Sequence, residues 1–220
     1  MVGSSFRFLL VIVQCAILVA APVSAQEFKD YGKGSKIVKH SKISLKSGQA
    51  KGFGLFKKNS AYFGAMAIHK NRDIVSWFQT FKSLEAVRYT ALLNCQEQSK
   101  DIGADPAECV LYASAIPKSL SSSVHKAKGF PEKLQQYERR YRQQQRPGMF
   151  GAHAVSDAGA GGFSKWVPTE QAAKKHALET CEYASRPEYV NKTYNIHPRA
   201  LQRLMKDGWY DCYIVDVYRP

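Results

Sequence analysis

The stretch SLEAVRYTALLNC at residues 83–95 recurs as TEQAAKKHALETC at residues 169–181. Both follow one frame without a gap: Ser or Thr, then Ala three positions on, then Ala-Leu, then Cys. Ser83 and Thr169 are natural N-caps, because their hydroxyl groups accept from backbone N–H groups that the first helical turn leaves unpaired. The shared apolar positions fall near one face at helical spacing. The two stretches therefore predict two matching helices, each of which carries a Cys towards its end.

A second matched segment lies upstream of each predicted helix. YFGAMAI at residues 62–68 recurs as MFGAHAV at residues 149–155. Alternating small and apolar residues are typical of a strand that another element approaches closely. Trp77 and Trp166 follow these strands, and the segment leading to each Trp is predicted to be the hairpin partner. In the second copy, the glycine-rich residues 158–162 are predicted to form the hairpin turn.

A third matched segment completes each copy. Cys109 and Cys212 each open an apolar segment directly after an acidic residue, which predicts a final strand. The fold class is therefore α+β, with two tandem β-β-α-β repeats over residues 59–116 and 148–220. Residues 197–206 predict a short additional helix in the second repeat, since Pro198 suits a first turn and Gly208 a helix end.

The first 25 residues have the pattern of a signal peptide. Arg7 precedes an apolar run of 14 residues, 8–21, that Gln14 alone interrupts, and a small-x-small triplet at 23–25 follows. We expect cleavage before Gln26. The alternative is an uncleaved anchor, but the run is shorter than the roughly 20 residues needed to span a bilayer. A lipoprotein site at Cys15 is disfavoured because Gln14 occupies a position that requires a small residue.

The predicted mature chain keeps an even number of Cys, which in an oxidising compartment favours disulfides. Pairing Cys95 with Cys109 and Cys181 with Cys212 gives each repeat its own bridge. The alternative pairings cross between the repeats, and sequence alone leaves that choice open. The favoured loops span 14 and 31 residues, for which chain entropy suggests about 3 and about 3.5 kcal/mol.

Together, the frames Gly-Ala-x-Ala, Ala-x-x-x-x-Ala-Leu-x-x-Cys and a strand-opening Cys resemble a bacterial domain-of-unknown-function family of small exported, Cys-containing domains. The resemblance covers roughly residues 61–116 and 149–218. It implies an exported bacterial domain without an assigned activity, so it supplies no catalytic residues. The second Cys loop, of 31 residues, is longer than the first, of 14, and departs from the pattern of that family.

The positive charge of the chain, +14 in total, is concentrated outside the repeats. A basic N-terminal arm at residues 26–58 carries +7 and a linker at residues 117–147 carries +6, whereas the repeats carry −1 and +1. We expect residues 37–46 of the arm to add a strand or hairpin to the first repeat. Residues 131–145 predict a linker helix. Its narrow apolar stripe, formed by Leu134, Tyr137 and Tyr141, favours packing on a neighbouring element over ligand binding. The candidate anion-binding residues are Lys29, Lys33, Lys36, Lys39, Lys42, Lys46, Arg139, Arg140 and Arg142.

No motif in the chain specifies a reaction. There is no His-x-x-x-His, Cys-x-x-Cys, Gly-x-Ser-x-Gly or phosphate-binding glycine loop, so no catalytic residue, metal or cofactor is assigned. The charge distribution favours a periplasmic or secreted binding protein for an anionic envelope polymer or an exported protein partner. Nucleic acid is the less favoured anion, because an exported protein seldom meets it, although basic charge alone would bind it without specificity. An enzyme of unrecognised class and a structural accessory subunit stay as alternatives, and the oligomeric state stays open.

Overall fold

A computed structural model of the protein describes residues 31–130 and 141–220. The predicted signal peptide, Lys29, Arg139, Arg140 and most of the predicted linker helix lie outside these residues. The two described ranges correspond to two structural units, which we call unit 1 (residues 31–130) and unit 2 (residues 141–220). Within them, no helix is long and apolar enough to cross a membrane.

Unit 1 is a four-stranded antiparallel sheet with a helix on each face. The strand order is β1-β4-β2-β3, and all neighbours are antiparallel. Helix α2 packs on one face and α1 contributes to a separate apolar cluster on the other. Its elements are β1 (Ser35–Lys39), α1 (Ser47–Asn59), β2 (Gly64–His69), β3 (Val75–Phe78), α2 (Leu84–Asp101), a 3₁₀ turn (Pro106–Glu108) and β4 (Cys109–Pro117).

Unit 2 is a three-stranded antiparallel sheet with the order β6-β5-β7. Helix α3 packs on this sheet, and two short helices separate α3 from the last strand. Its elements are β5 (Phe150–Val155), β6 (Gly161–Val167), α3 (Glu170–Ala184), α4 (Pro187–Tyr194), α5 (Pro198–Lys206) and β7 (Tyr213–Tyr218).

The two sheets share connectivity, register and one irregularity. In each sheet, the strand formed by the upstream matched segment lies between its hairpin partner and the last strand. In unit 1, β2 lies between β3 and β4, and in unit 2, β5 lies between β6 and β7. A β-bulge leaves Tyr112 of β4 as an extra residue opposite β2, and Val215 of β7 is the extra residue opposite β5. The predicted α+β class, with two antiparallel sheets, is confirmed. That the units are tandem copies of one ancestral sequence stays a prediction.

The local features that predicted the helices and bridges are present. The Ser83 and Thr169 hydroxyls each accept from a backbone N–H three residues on, at 3.2 Å. The disulfides are Cys95–Cys109 and Cys181–Cys212, with Cα separations of 6.1 and 6.0 Å. Gly162 of β6 shows why the sheet needs small residues where a helix packs closely on it. A Cβ at this position would lie 2.3 Å from the Ala177 carbonyl oxygen of α3.

The arm differs from its prediction. Residues 35–39 form a strand added to unit 1, as expected, but residues 42–46 form no strand and helix α1 follows them. The helix was missed because part of its N-terminal capping comes from outside the segment. The Asp73 carboxylate accepts from the Gly48 and Gln49 backbone N–H groups, each at 2.9 Å, in addition to the local hydrogen bond from the Lys46 N–H to the Gln49 Oε1. A carboxylate is favoured at a helix N-terminus by the helix dipole. Two further helical glycines, which disfavour helix, also obscured the pattern.

Both units contribute to one hydrophobic cluster, so their junction is a packed interface. Phe81 packs on Tyr194 with ring centroids 5.1 Å apart, and Tyr89 packs on Trp209 at 5.7 Å. The Lys82 side chain is buried and donates to the carbonyl oxygens of Gly159, at 3.1 Å, and Ala160. Helix α5, which the sequence predicted, also docks on α2, where the His197 Nε2 lies 2.7 Å from an Asp101 carboxylate oxygen.

The three tryptophans lie in three different settings. Trp77 of β3 packs against Phe56 of α1, with centroids 6.3 Å apart. Trp166 of β6 is 45% exposed, and the Arg146 guanidinium lies 4.1 Å from its ring centroid. Trp209 lies at the junction of the units, against Tyr89.

Candidate anion-binding site

Helix α1 and strand β1 bring lysines together without acidic residues. Residues 31–59 contain eight lysines and no Asp or Glu. All of them are exposed except Lys36, which is half-buried. They are Lys33, Lys36, Lys39, Lys42, Lys46, Lys51, Lys57 and Lys58.

None of these eight lysines forms an ion pair with a carboxylate in the described parts of the chain. Cations elsewhere are commonly paired: Lys128 lies 2.8 Å from an Asp157 oxygen, for example, and Lys174 lies 2.6 Å from a Glu170 oxygen. The lysines of residues 31–59 are therefore not neutralised by direct ion pairs, whereas many cations elsewhere are, although the Asp73 carboxylate lies at the N-terminus of α1.

Aromatic rings hold two of these lysines in place. The ammonium groups of Lys39 and Lys57 lie 5.2 and 5.0 Å from the ring centroid of Phe53, and Lys39 lies 5.8 Å from that of Tyr112. A ring face attracts a cation without cancelling its charge. Phe53 therefore positions two ammonium groups and leaves both able to attract an anion.

An open cleft lies beside this cluster. It has a volume of about 660 Å³ and is lined by residues 39–45 together with Phe53 and Tyr112. This volume is within the usual range for sites of small ligands. We call the cleft with Lys39, Lys42 and Lys57 the basic cleft.

His40 links the edge of the basic cleft to the centre of the sheet. Its Nε2 lies 2.9 Å from the Ser114 Oγ, to which the Arg88 Nε donates at 3.0 Å. Partial burial lowers the pKa of His40 below its ordinary value of 6.5, and the charges of Arg88 and His125 lower it further. His40 is therefore mainly neutral at pH 7 and can accept the Ser114 hydroxyl proton in a hydrogen bond.

The Ser114–His40 contact has the spacing of a nucleophile and its base, but it lacks the access that catalysis needs. Ser114 is completely buried in the central part of the sheet, and its oxygen already accepts from Arg88. A substrate would have no route to the hydroxyl group. The arrangement anchors the end of β1 to β4 and supplies no nucleophile.

The predicted anion-binding residues fall into separate groups. Lys39 and Lys42 lie in the basic cleft, and Lys46 directly precedes α1. The Lys36 ammonium reaches the Lys118 carbonyl oxygen at 3.2 Å, and Lys33 precedes β1. Arg142 is not brought to this site, because it pairs with Asp216 of unit 2 at 2.5 Å.

Sequence reasoning missed Lys57 and the aromatic residues that position it. Lys57 was counted in the charge of the arm, but without α1 nothing placed it near Lys39. A signal existed in the spacing of Phe53 and Lys57, which puts them one helical turn apart. That spacing was not used, because no helix was predicted at residues 47–59.

Comparisons with protein-family models, with curated proteins and with solved structures gave no match. Function is therefore inferred from the residues of this chain alone.

Proposed function

We propose that the protein is an exported, non-enzymatic binding module that takes an anionic ligand at the basic cleft. One observation carries this proposal: the eight lysines of residues 31–59 have no carboxylate partner among the described residues, although exposed cations elsewhere in the chain are commonly paired. Unpaired, clustered lysines raise the local concentration of anions and speed their association.

The ligand class that fits best is a polyanion with repeated charges. Lys39 and Lys57 flank one aromatic ring, Lys42 lines the cleft, and further lysines continue along α1. A single small anion engages only part of such a series, whereas a polymer engages several members at once. An anionic polymer of the cell envelope suits this arrangement, and an acidic exported protein is the second source of the same chemistry.

An exported location supports this choice of ligand. The pattern of residues 1–25 predicts a signal peptide, and the two disulfides fit a periplasmic or secreted protein, since such bonds persist in oxidising compartments. Nucleic acid is a poor candidate there, although any basic surface binds it weakly and without specificity.

The proposal is tested with dextran sulfate as the probe, in a titration repeated over a range of salt concentrations. The triple variant Lys39→Gln, Lys42→Gln, Lys57→Gln removes three unpaired charges from the cleft. We expect affinity at moderate salt to fall about tenfold or more, and the dependence of log K on log salt to become flatter by about 2 to 3. The melting temperature should stay nearly constant, because all three side chains are exposed.

The chain offers a matched control with the same change of net charge. Lys126→Gln, Lys174→Gln, Lys175→Gln removes three lysines that already face carboxylates, at 3.2, 2.6 and 3.8 Å. We expect this triple to weaken binding by less than about threefold. Equal losses for the two triples would show only a generic attraction to net charge, and the basic cleft would then not be the site.

A further inference from the structure

The outer edge of β7 in unit 2 corresponds to an edge that is covered in unit 1. In unit 1, β1 pairs along the outer edge of β4 from Ser35, opposite Pro117, to Lys39, opposite Ala113. Strand β7 occupies the position of β4 in unit 2, with the same bulge. Among the residues that the structure describes, no strand pairs with β7 on the side away from β5.

The register shows which backbone groups of β7 face outwards. At the two ends of the β1–β4 ladder, Lys118 N–H donates to the Gly34 carbonyl at 3.2 Å and His40 N–H donates to the Tyr112 carbonyl at 2.8 Å. Hydrogen-bonded pairs alternate along an antiparallel ladder, so Ser114 between them also directs its N–H and C=O towards β1. The shared bulge makes Val217 of β7 the counterpart of Ser114. The Val217 N–H and C=O groups therefore point outwards, away from β5.

The side chains of β7 suit a paired strand. Its sequence YIVDVY is rich in β-branched and aromatic residues, and every residue in it is half-buried. Asp216 is its single charged residue, and that carboxylate accepts from Arg142. Apart from its bulge at Val215, β7 offers an edge with little charge, and such an edge is a template for strand addition.

Strand β1 indicates the chemistry of a segment that would fit this edge. Val38 packs against the central cluster and Ile37 against the cluster on the opposite face, so two consecutive aliphatic residues serve both faces of the sheet. Lys39 lies opposite Ala113, whose counterpart in β7 is Asp216. Because Asp216 already accepts from Arg142, the aliphatic pair, and not a charge, defines the segment that fits this edge.

We propose that the outer edge of β7 binds an extended segment of another polypeptide, antiparallel to β7, with two consecutive aliphatic residues that pack on opposite faces of the sheet. Main-chain hydrogen bonds to Val217 supply the affinity, and the alternating side chains supply the selectivity. A second copy of this chain is not the occupant, because its own β1 is held on β4 and both copies carry high positive charge.

The test uses a fluorescent peptide copied from residues 33–41, titrated into the purified protein at about 150 mM salt. The wild-type protein should bind it saturably. N-methylation at peptide position Val38 removes the N–H that faces β7, and we expect about a tenfold or greater loss of affinity. N-methylation at Ile37, whose N–H faces solvent in the same register, should change affinity by less than about threefold.

Protein variants then locate the peptide. Val217→Pro removes an outward N–H and leaves the pairing with β5 intact, since proline is tolerated on edge strands in that orientation. Val217→Ala is the control for the lost side chain. We expect the peptide to bind the alanine variant and not the proline variant.

Several results would overturn the proposal. These are no saturable binding, equal effects of the two methylated peptides, or equal binding to the two Val217 variants, which would place the peptide on β4. A wild-type dimer that Val217→Pro dissociates in sedimentation would show that a second copy occupies the edge. Should Val217→Pro unfold, the two methylated peptides on wild-type protein still decide the question.

Discussion

Units 1 and 2 each contain a sheet, and the two sheets have the same connectivity. The units extend these sheets at different places. Unit 1 adds β1 and α1 before its first matched strand, so that one edge and the second face of its sheet are covered. Unit 2 instead adds α4 and α5 between its main helix and its last strand, and these helices build the junction with unit 1. The unpaired lysines lie on the addition to unit 1, whereas the addition to unit 2 carries paired charges such as Arg199 with Glu97. We infer that the common framework provides stability and that the additions determine contacts with ligands and partners.

The largest effect is expected from loosening the layer that only unit 1 has. Phe56 of α1 is completely buried, so Phe56→Ala should lower the free energy of unfolding by about 3 to 5 kcal/mol. Urea unfolding measures the loss. The neighbouring Leu55 is 46% exposed, and Leu55→Ala should cost less than about 0.5 kcal/mol. Similar small losses for both variants would mean that α1 is only loosely attached to the sheet.

The disulfides of the two units should differ in their rate of reduction. Cys95 and Cys109 are both buried, whereas Cys212 is half-buried and lines an open depression of about 400 Å³. Attack by a thiolate requires access to a sulfur atom, so the bridge of unit 2 should be reduced first by dithiothreitol. Timed alkylation followed by peptide mass spectrometry distinguishes the two. Reduction of the unit 1 bridge first would contradict the burial seen here.

The smallest effect concerns the protonation of His40 in unit 1. Its pKa is lowered, so anion binding at the basic cleft should strengthen as the pH falls below 6.5, when His40 gains a positive charge. We expect a gain of about threefold on dextran sulfate, because the group is partly exposed and solvent screens it. Lys39, Lys42, Arg88 and His125 are the other basic groups near His40.

The variant His40→Gln should lose this gain, whereas His176→Gln, on α3 of unit 2, should keep it. If His40→Gln shows the same rise at low pH, another group such as His125 is responsible.

Sequence patterns predicted those elements whose determinants are local. The Ser83 and Thr169 caps, the glycine-rich turn before β6 and the Cys positions are set by neighbouring residues, and the structure confirms the helices, the hairpins and both bridges. The helix at Pro198 followed from the same kind of signal.

The sequence analysis missed helices that depend on residues far along the chain or that are too short to show a clear pattern. Helix α1 has a local cap in Gln49, but its N-terminus also depends on the carboxylate of Asp73, 25 residues beyond Gly48, which lies outside any window around α1. Helix α4 was also missed, because it is only eight residues long and its periodic pattern is brief.

The candidate site shows the same division. Charge counting along the chain nominated Lys39 and Lys42, which the fold brings to one cleft, and also Arg142, which pairs with Asp216, 74 residues away. Conversely, the meeting of Lys39 and Lys57 on Phe53 requires both β1 and α1 in place. A net charge can be summed from sequence, whereas its compensation is a property of the folded chain.

The separation of the three tryptophans gives the protein built-in optical reporters. Trp77 senses the contact of α1 with the sheet, Trp209 senses the junction of the units, and Trp166 already emits from an exposed position beside Arg146. Single-tryptophan versions would therefore resolve by fluorescence whether the α1 layer, the junction and the β6 edge open together or in sequence when the protein is denatured.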